Sequence, residues 1–341
     1  MPLSVAWFSG IPSEWDEFVR GQPGWTHFHL FGWRRVIERV FGHECPYLAA
    51  YDDTGRLCGV LPLVQVKSWI FGHYLASMPF LNYGGPLGFR HAVQALVERA
   101  DGLAARAGAE LLELRSRHEL PLTLRVSHRK ITVVLDLPDD PAPLWSGLRA
   151  KVRSQVRRPR KEGVTVRFGL DEVEPFHQVF SRHMRDLGTP TLPRGWFEAV
   201  AETFPEEVLF GCAYLRERPI AAGCGLRWNG EFEMTWAAAL REHNSLAPNM
   251  LLYWSFMERA IESGLSLFNF GRCSPGSGTH RFKGQWGSRD EMLWWYQRAW
   301  KKKAATPSPD QGAFALGTRL WRRLPLRVAN ALGPGIVRYI P

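Results

Sequence analysis

Residues 208–228, VLFGCAYLRERPIAAGCGLRW, carry the reading that decides the fold. Two apolar runs flank a short charged turn, which is the pattern of a β-hairpin. The same layout stands at residues 46–66, PYLAAYDDTGRLCGVLPLVQV, around an Asp-Thr-Gly turn. Each hairpin is followed by an amphipathic helix, a glycine and another strand. In the first half these are AVQALVERADGLAARAG (92–108) and AELLELRS (109–116); in the second, NMLLYWSFMERAIESG (249–264) and LSLFNFGR (265–272). Gly108 and Gly264 stand where a helix end favours a residue that tolerates positive φ. The repeated order predicts an α/β chain built from a duplicated unit, with domains at 1–140 and 141–300 and a linker and amphipathic tail over 301–341.

The bulk properties limit what such a chain does. With 45% hydrophobic and 22% charged residues it has the composition of a folded globular protein, which excludes disorder as its main state. A formal charge of +10 favours an acidic partner: a phosphate-bearing molecule, RNA or an anionic membrane surface. The five cysteines are scattered and form no C-x-x-C pair, so free thiols in a reducing cytoplasm are expected, with neither a disulfide framework nor a metal site. No run reaches about 18 apolar residues, the length of a membrane-spanning helix. The P-loop, zinc-protease, nucleophile-elbow and dinucleotide patterns are all missing, as is the usual glycine-rich coenzyme A loop.

Between the halves, an Asp/Pro cluster (LPDDPAP, 137–143) marks a boundary. After it, Leu144, Leu148, Val152 and Val156 recur at steps of four and predict one helix over 144–158, ended by Pro159 and Gly163. Arg149, Lys151, Arg153, Arg157, Arg158, Arg160 and Lys161 make this the most basic segment. It reads either as a solvated face or as a phosphate-binding surface, with Arg153 and Arg157 as the candidate phosphate ligands. His183 and Asp186 lie three apart on another predicted helix and read as a surface pair or as a polar wall for an acceptor. Trp236 sits on a strand before an Asn-rich loop, and Asn249 reads as a helix cap or a substrate contact.

The stretch NFGRCSPGSGTHRFKGQWG (269–287) ends a buried strand in a glycine-rich loop. Arg272 stands at the strand end, where α/β folds place ligands. HRFKGQW (280–286) reads as a strand whose alternation sets His280 and Phe282 on one face and Lys283 on the other. This stretch, with SRHMRDLGTP (181–190) and KVRSQVRRPRKEG (151–163), resembles the FemAB-related family associated with PEP-CTERM/exosortase loci. That family lies within the Fem-type peptidyltransferases and GNAT-like acyltransferases. The resemblance covers about residues 1 to 300. It implies two tandem GNAT-like domains, each a mixed, mostly antiparallel sheet flanked by helices. It also implies that the Phe282–Lys283 pair contributes to the active site, with Lys283 stabilising the tetrahedral oxyanion of acyl transfer.

The expected activity is therefore transfer of an activated acyl or aminoacyl group to an amine or hydroxyl of an envelope or exopolysaccharide-related substrate. The acceptor would be a small molecule or glycan precursor. The donor stays open between acyl-CoA and aminoacyl-tRNA, and nucleic acid is a partner only in the second case. Lys283, His183 and Asp186 are the expected catalytic groups; Arg272, His280, Phe282, Trp236 and Asn249 are expected to bind substrate. A Lys283→Ala change is expected to abolish turnover at nearly constant melting temperature. The other reading is a non-catalytic basic module for anionic lipid or RNA. The tail, where Leu, Trp, Val and Ile mix with Arg, reads as docking on the body or lying on an anionic membrane at its cytoplasmic face.

Overall fold

The computed structural model describes residues 3–301 and 315–340. The expected linker falls, from 302 to 314, outside the described residues. Two compact units are present: Met1–Arg129 with Met292–Ser308 and Arg338–Pro341, and Lys130–Glu291 with Pro309–Val337.

The first unit contains β1 (Ser4–Trp7), α1 (Pro12–Arg20), α2 (Gly32–Phe41), β2 (Leu48–Tyr51), β3 (Leu57–Leu61), β4 (Val64–Ser68), β5 (Gly72–Ala76), β6 (Leu87–Gly88), α3 (Arg90–Arg106), β7 (Leu111–Ser116) and β8 (Arg125–Ser127). The predicted hairpin is β2–β3, its turn tied by the Asp52 carboxylate, which accepts from the Thr54 and Arg56 amides. Pro62 has no N–H to give a ladder, and the second apolar run is split there. β3 stays in the sheet β1-β2-β3-β6, while β4 begins the second sheet. Ala92, Leu96, Ala100 and Ala104 of α3 recur at steps of four and pack against Leu48, Leu61, Leu75 and Leu112.

The second unit contains β9 (Ile131–Asp136), α4 (Pro141–Gly147), α5 (Ala150–Lys161), β10 (Thr165–Phe168), α6 (Val173–Leu187), α7 (Arg194–Thr203), β11 (Val208–Leu215), β12 (Arg218–Trp228), β13 (Glu231–Ala239), α8 (Pro248–Glu262), β14 (Leu267–Cys273), α9 (Gly278–Gly284) and β15 (Arg289–Met292). Its sheet runs β10-β11-β12-β13-β14-β9-β15. Val152 and Val156 of α5 join Met250, Leu251 and Met257 of α8 in the core against Phe232, Met234 and Phe268. Both predicted helix-to-strand glycines have positive φ, 67° at Gly108 and 72° at Gly264. The five cysteines are buried and free.

β16 (Trp294–Ala299) completes the sheet β4-β5-β7-β16-β8 of the first unit. β9 fills the equivalent place beside β14 in the second sheet. Boundaries at 140 and 300 would cut across both sheets. The first unit ends at Arg129 and recovers a strand from after the second, so each sheet borrows from outside its own half of the sequence. Each unit is an α/β arrangement of mixed sheet flanked by helices.

Three local expectations change. The single helix over 144–158 is two, because Leu148 and Arg149 are extended (ψ 142° and 144°) between α4 and α5, and Pro159 lies inside α5. HRFKGQW is not a strand: residues 278–284 form α9, whose N-cap Ser277 accepts from the His280 amide. Asn249 is not the cap of α8, since Ala247 holds that place with φ 57° and Asn249 is the second helical residue. The tail forms α10 (Ala315–Trp321) and α11 (Leu326–Val337) and docks on α6. There Arg185 Nη1 donates to Leu324 O at 2.9 Å, and Asn330 Nδ2 to Ser181 Oγ at 3.4 Å.

Candidate active site

β13 and β14 are parallel for three rows only, Glu231–Glu233 beside Leu267–Asn269. Beyond this fork β13 stays with β12 as far as Ala239, and β14 turns to β9 as far as Cys273. Both strands part at an irregularity: the β12–β13 register shifts between Cys224 and Gly225, opposite Thr235, and the β14–β9 register between Asn269 and Arg272. Among the described residues no strand pairs with the facing edges past the fork. α8 starts nine residues after the end of β13, with Arg241–Leu246 forming a 3-10 turn between them.

Polar side chains are buried at the fork. Asn269 is fully buried and uses all four of its hydrogen-bonding positions. Its Oδ1 accepts from Thr132 Oγ1 (2.6 Å) and the Gly271 amide (2.8 Å), and its Nδ2 donates to Glu231 Oε1 (2.7 Å) and Glu233 Oε2 (3.2 Å). Glu233 is fully buried and Glu231 nearly so. The signal for this cluster was present in the sequence: EFE and LFNF set Glu231, Glu233 and Asn269 between aromatic core residues, where a polar group needs a reason to be.

Lys283 reaches the same strand from α9. Its Nζ donates to Gly271 O (2.6 Å) and Arg272 O (3.1 Å), and the residue is 3% exposed. Burial pulls the amine down to about 8; Cys273 and Glu233 oppose this and Arg272 adds to it. Phe282 also turns inward, its ring 5.0 Å from Tyr253 edge to face. Strand alternation would have parted the two; one turn of helix sends both into the body. His280 staples the loop, its Nδ1 accepting from the Gly276 amide and its Nε2 lying 2.9 Å from Asp290. Arg272 is half-buried on β14 beside these residues. Removing Lys283 strips a buried donor from two carbonyls, so an unchanged melting temperature for Lys283→Ala is no longer expected.

The other sequence candidates stand apart from that group. His183 Nδ1 donates to Ala239 O at 2.9 Å, leaving Nε2 as the unprotonated nitrogen, and burial lowers its pKa. Ala239 lies six residues along β13 from Glu233, roughly 20 Å at the rise of a strand. Lys283 contacts β14 two and three residues past Asn269, which is level with Glu233. The Asp186 carboxylate pairs with Arg185 Nε at 2.6 Å. Trp236 is a core ring, edge-on to Phe197 at 5.4 Å. Arg153 donates to Ser146 O at 2.9 Å and Arg157 lies over the Trp145 ring at 5.1 Å, so both serve α4. Arg158 instead donates to Ser245 O at 2.9 Å, three residues before α8 begins. Asn249, at that helix start, has a buried Oδ1 with no partner among the described residues. A groove of about 420 Å³ beyond the end of β13 is lined by Arg182, Ile220, Leu240, Glu242, His243 and Asn330.

Residues 146–284 match the family described as the acetyltransferase (GNAT) domain. No curated protein matches. Among solved structures, the chain is similar to FemX at 15% identity, covering 87% of this chain and 97% of that one with a TM-score of 0.65. It is similar to a tandem GNAT protein from the clavulanic acid biosynthesis pathway at 13% identity, covering 89% and 100% with a TM-score of 0.59. A third, L-PGS from Bacillus licheniformis, shares 13% identity, covering 92% and 98% with a TM-score of 0.56. At these identities the likeness is one of fold. The domain match replaces the non-catalytic alternative: the chain carries a GNAT-type acetyltransferase domain over residues 146–284 and is an acyltransferase.

Proposed function

We propose that the second unit transfers an activated acyl or aminoacyl group at the β13/β14 fork. The acceptor would be an amine or hydroxyl of an envelope or exopolysaccharide-related small molecule or glycan precursor in the cytoplasm. The observation that carries the reading is the fork itself, an open strand edge with buried ionisable groups at its vertex. The first unit makes a useful contrast. There β5 and β7 also pair in parallel for three rows, Tyr74–Ala76 with Leu111–Glu113. But Ser77 bridges that fork, its amide donating to Glu113 O (2.9 Å) and its Oγ accepting from the Arg115 amide (2.8 Å). The Arg115 guanidinium then donates to the Pro79 and Leu81 carbonyls. The chain itself occupies the first fork, which leaves the second for substrate.

In this reading the donor's acyl arm lies along the free edge of β13. Its phosphates lie toward the start of α8, where the helix dipole and Arg158 favour an anion. The acceptor nitrogen or oxygen attacks the acyl carbon directly, with no side-chain nucleophile. As the oxyanion collapses, the C–S bond of a thioester donor, or the C–O bond of an aminoacyl ester, breaks, and the thiol or hydroxyl leaves with the proton taken from the acceptor. Lys283 in its ammonium form stabilises the oxyanion, a role worth about 3 kcal/mol for one preorganised donor. Glu233, the buried carboxylate whose charge reaches Lys283, is placed to take the acceptor's proton. Arg272, His280 and Phe282 shape the β14 side, and His183 lines the far end near Ala239.

Calorimetric titration with acetyl-CoA tests this. Saturable binding that Arg158→Glu weakens about tenfold, the scale of one charge-assisted hydrogen bond, supports the fork as an acyl-CoA site. No binding, together with acyl transfer from an aminoacyl-tRNA, would assign the other donor. Absence of transfer from both would refute the proposal.

A further inference from the structure

α11 carries apolar side chains on its outer face as well as its inner one. Its small residues face the protein: Ala329 and Gly333 are its buried positions, and a Cβ on Gly333 would come within 3.2 Å of the Thr191 backbone nitrogen. Two of its larger apolar side chains face out, Val328 40% exposed and Leu332 52% exposed, while Leu326, Ile336 and Val337 are half-buried. These two lie one turn apart on one stripe. Leu320 of α10 is 58% exposed as well. Around them stand Arg319, Arg323 and Arg327, all exposed. From residue 311 to 341 the chain has five arginines and no aspartate or glutamate. No helix among the described residues is long and apolar enough to cross a membrane.

We infer that the outer face of α10 and α11 is a docking surface for an anionic lipid bilayer, lying in the headgroup plane. Leu320, Val328 and Leu332 enter the acyl boundary while the arginines reach the phosphates with their aliphatic stems on the apolar layer. Charge complementarity selects the occupant: an all-cationic face with leucines at its centre matches a surface that is anionic outside and apolar beneath. Nucleic acid would use the arginines and leave Val328 and Leu332 without a role. The inference is independent of the acyl-transfer proposal, since no residue of the fork takes part.

Co-sedimentation of the full chain with vesicles decides it. Vesicles of phosphatidylcholine with one quarter phosphatidylglycerol should carry the protein down, and pure phosphatidylcholine should not. Arg323→Gln with Arg327→Gln should lower the partition coefficient about 25-fold, from about fivefold per arginine near an anionic surface. Val328→Glu with Leu332→Glu should abolish binding even at low salt. All four side chains point to solvent, so circular dichroism melts of both variants should overlay the parent. Binding that survives both variants, or indifference to vesicles alongside tight binding of a 20-nucleotide RNA, overturns the inference.

Discussion

Replacing Lys283 by methionine gives a measurable account of what its burial costs. The amine falls from an ordinary 10.5 to about 8 because the charged form loses solvent in a site that is 3% exposed. A depression of that size corresponds to about 3 kcal/mol at about 1.4 kcal/mol per unit. The folded-state value is the lower one, so between pH 8 and 10.5 the unfolded chain binds the proton that the folded chain has released. Stability contributed by this group therefore rises with pH across that window, and it is lost as pH falls through 8. Urea unfolding of the parent and of Lys283→Met at pH 7 and pH 10.5 isolates the effect, because other groups titrate equally in both. The parent should gain about 3 kcal/mol on the variant between the two pH values. Activity supplies the second readout. If the ammonium supports the oxyanion, parental kcat falls as pH rises through about 8, and the variant loses on the order of 10²–10³ in kcat. A constant stability difference from pH 7 to 10.5 would refute the burial argument, and a variant with normal kcat would refute the catalytic one.

Two further outcomes belong to the first unit. His27 and His29 are buried and neutral, held down to about 3 and about 4 chiefly by desolvation. Their contribution to stability is complete above pH 6.5 and is lost as pH falls through those values, so His29→Gln should reduce the fall in urea unfolding free energy between pH 6.5 and 4 by about 3 kcal/mol. A variant as acid-sensitive as the parent would count against this. Ending the chain at Glu291 removes β16, whose Trp295 and Tyr296 are buried between β7 and β8. Residues before Arg129 should then become sensitive to limited proteolysis, although nothing in their own sequence has changed; continued resistance would show that β16 is dispensable.

What was legible in the sequence is what local periodicity encodes. Two hairpins, the helices α3 and α8 and the glycines that end them follow from spacing within about 20 residues. The exchange of β9 and β16 is not encoded that way. A strand's own residues record that it is buried, not which of two similar sheets buries it, and partner choice is fixed by distant surfaces. α9 is hidden for another reason: over seven residues, alternation and helical spacing make similar demands, and Phe282 and Lys283 separate them only once Ser277 is known to cap.

The active-site reading was partial because of how polar residues in strands are weighed. In a half-exposed sheet an alternating Glu belongs on the wet face, and Glu231 and Glu233 invite that assignment. Their neighbours argue otherwise. Phe232, Met234, Phe268 and Phe270 already cover one face of the fork with core, and Thr132, Asn269 and Glu233 on the other are fully buried. A fold has no stability reason to bury two carboxylates beside an amide and an amine, since an apolar cluster of the same volume would cost less desolvation. That cost is the reason to place the proposed chemistry at the fork. The basic run had the opposite character. Seven cations drew attention to α5, yet Arg153 and Arg157 are spent on α4, and only Arg158 reaches toward the start of α8. Charge density marks a surface here, and buried polar groups stand at both forks: Glu113 and Arg115 in the first, Glu233 and Asn269 in the second.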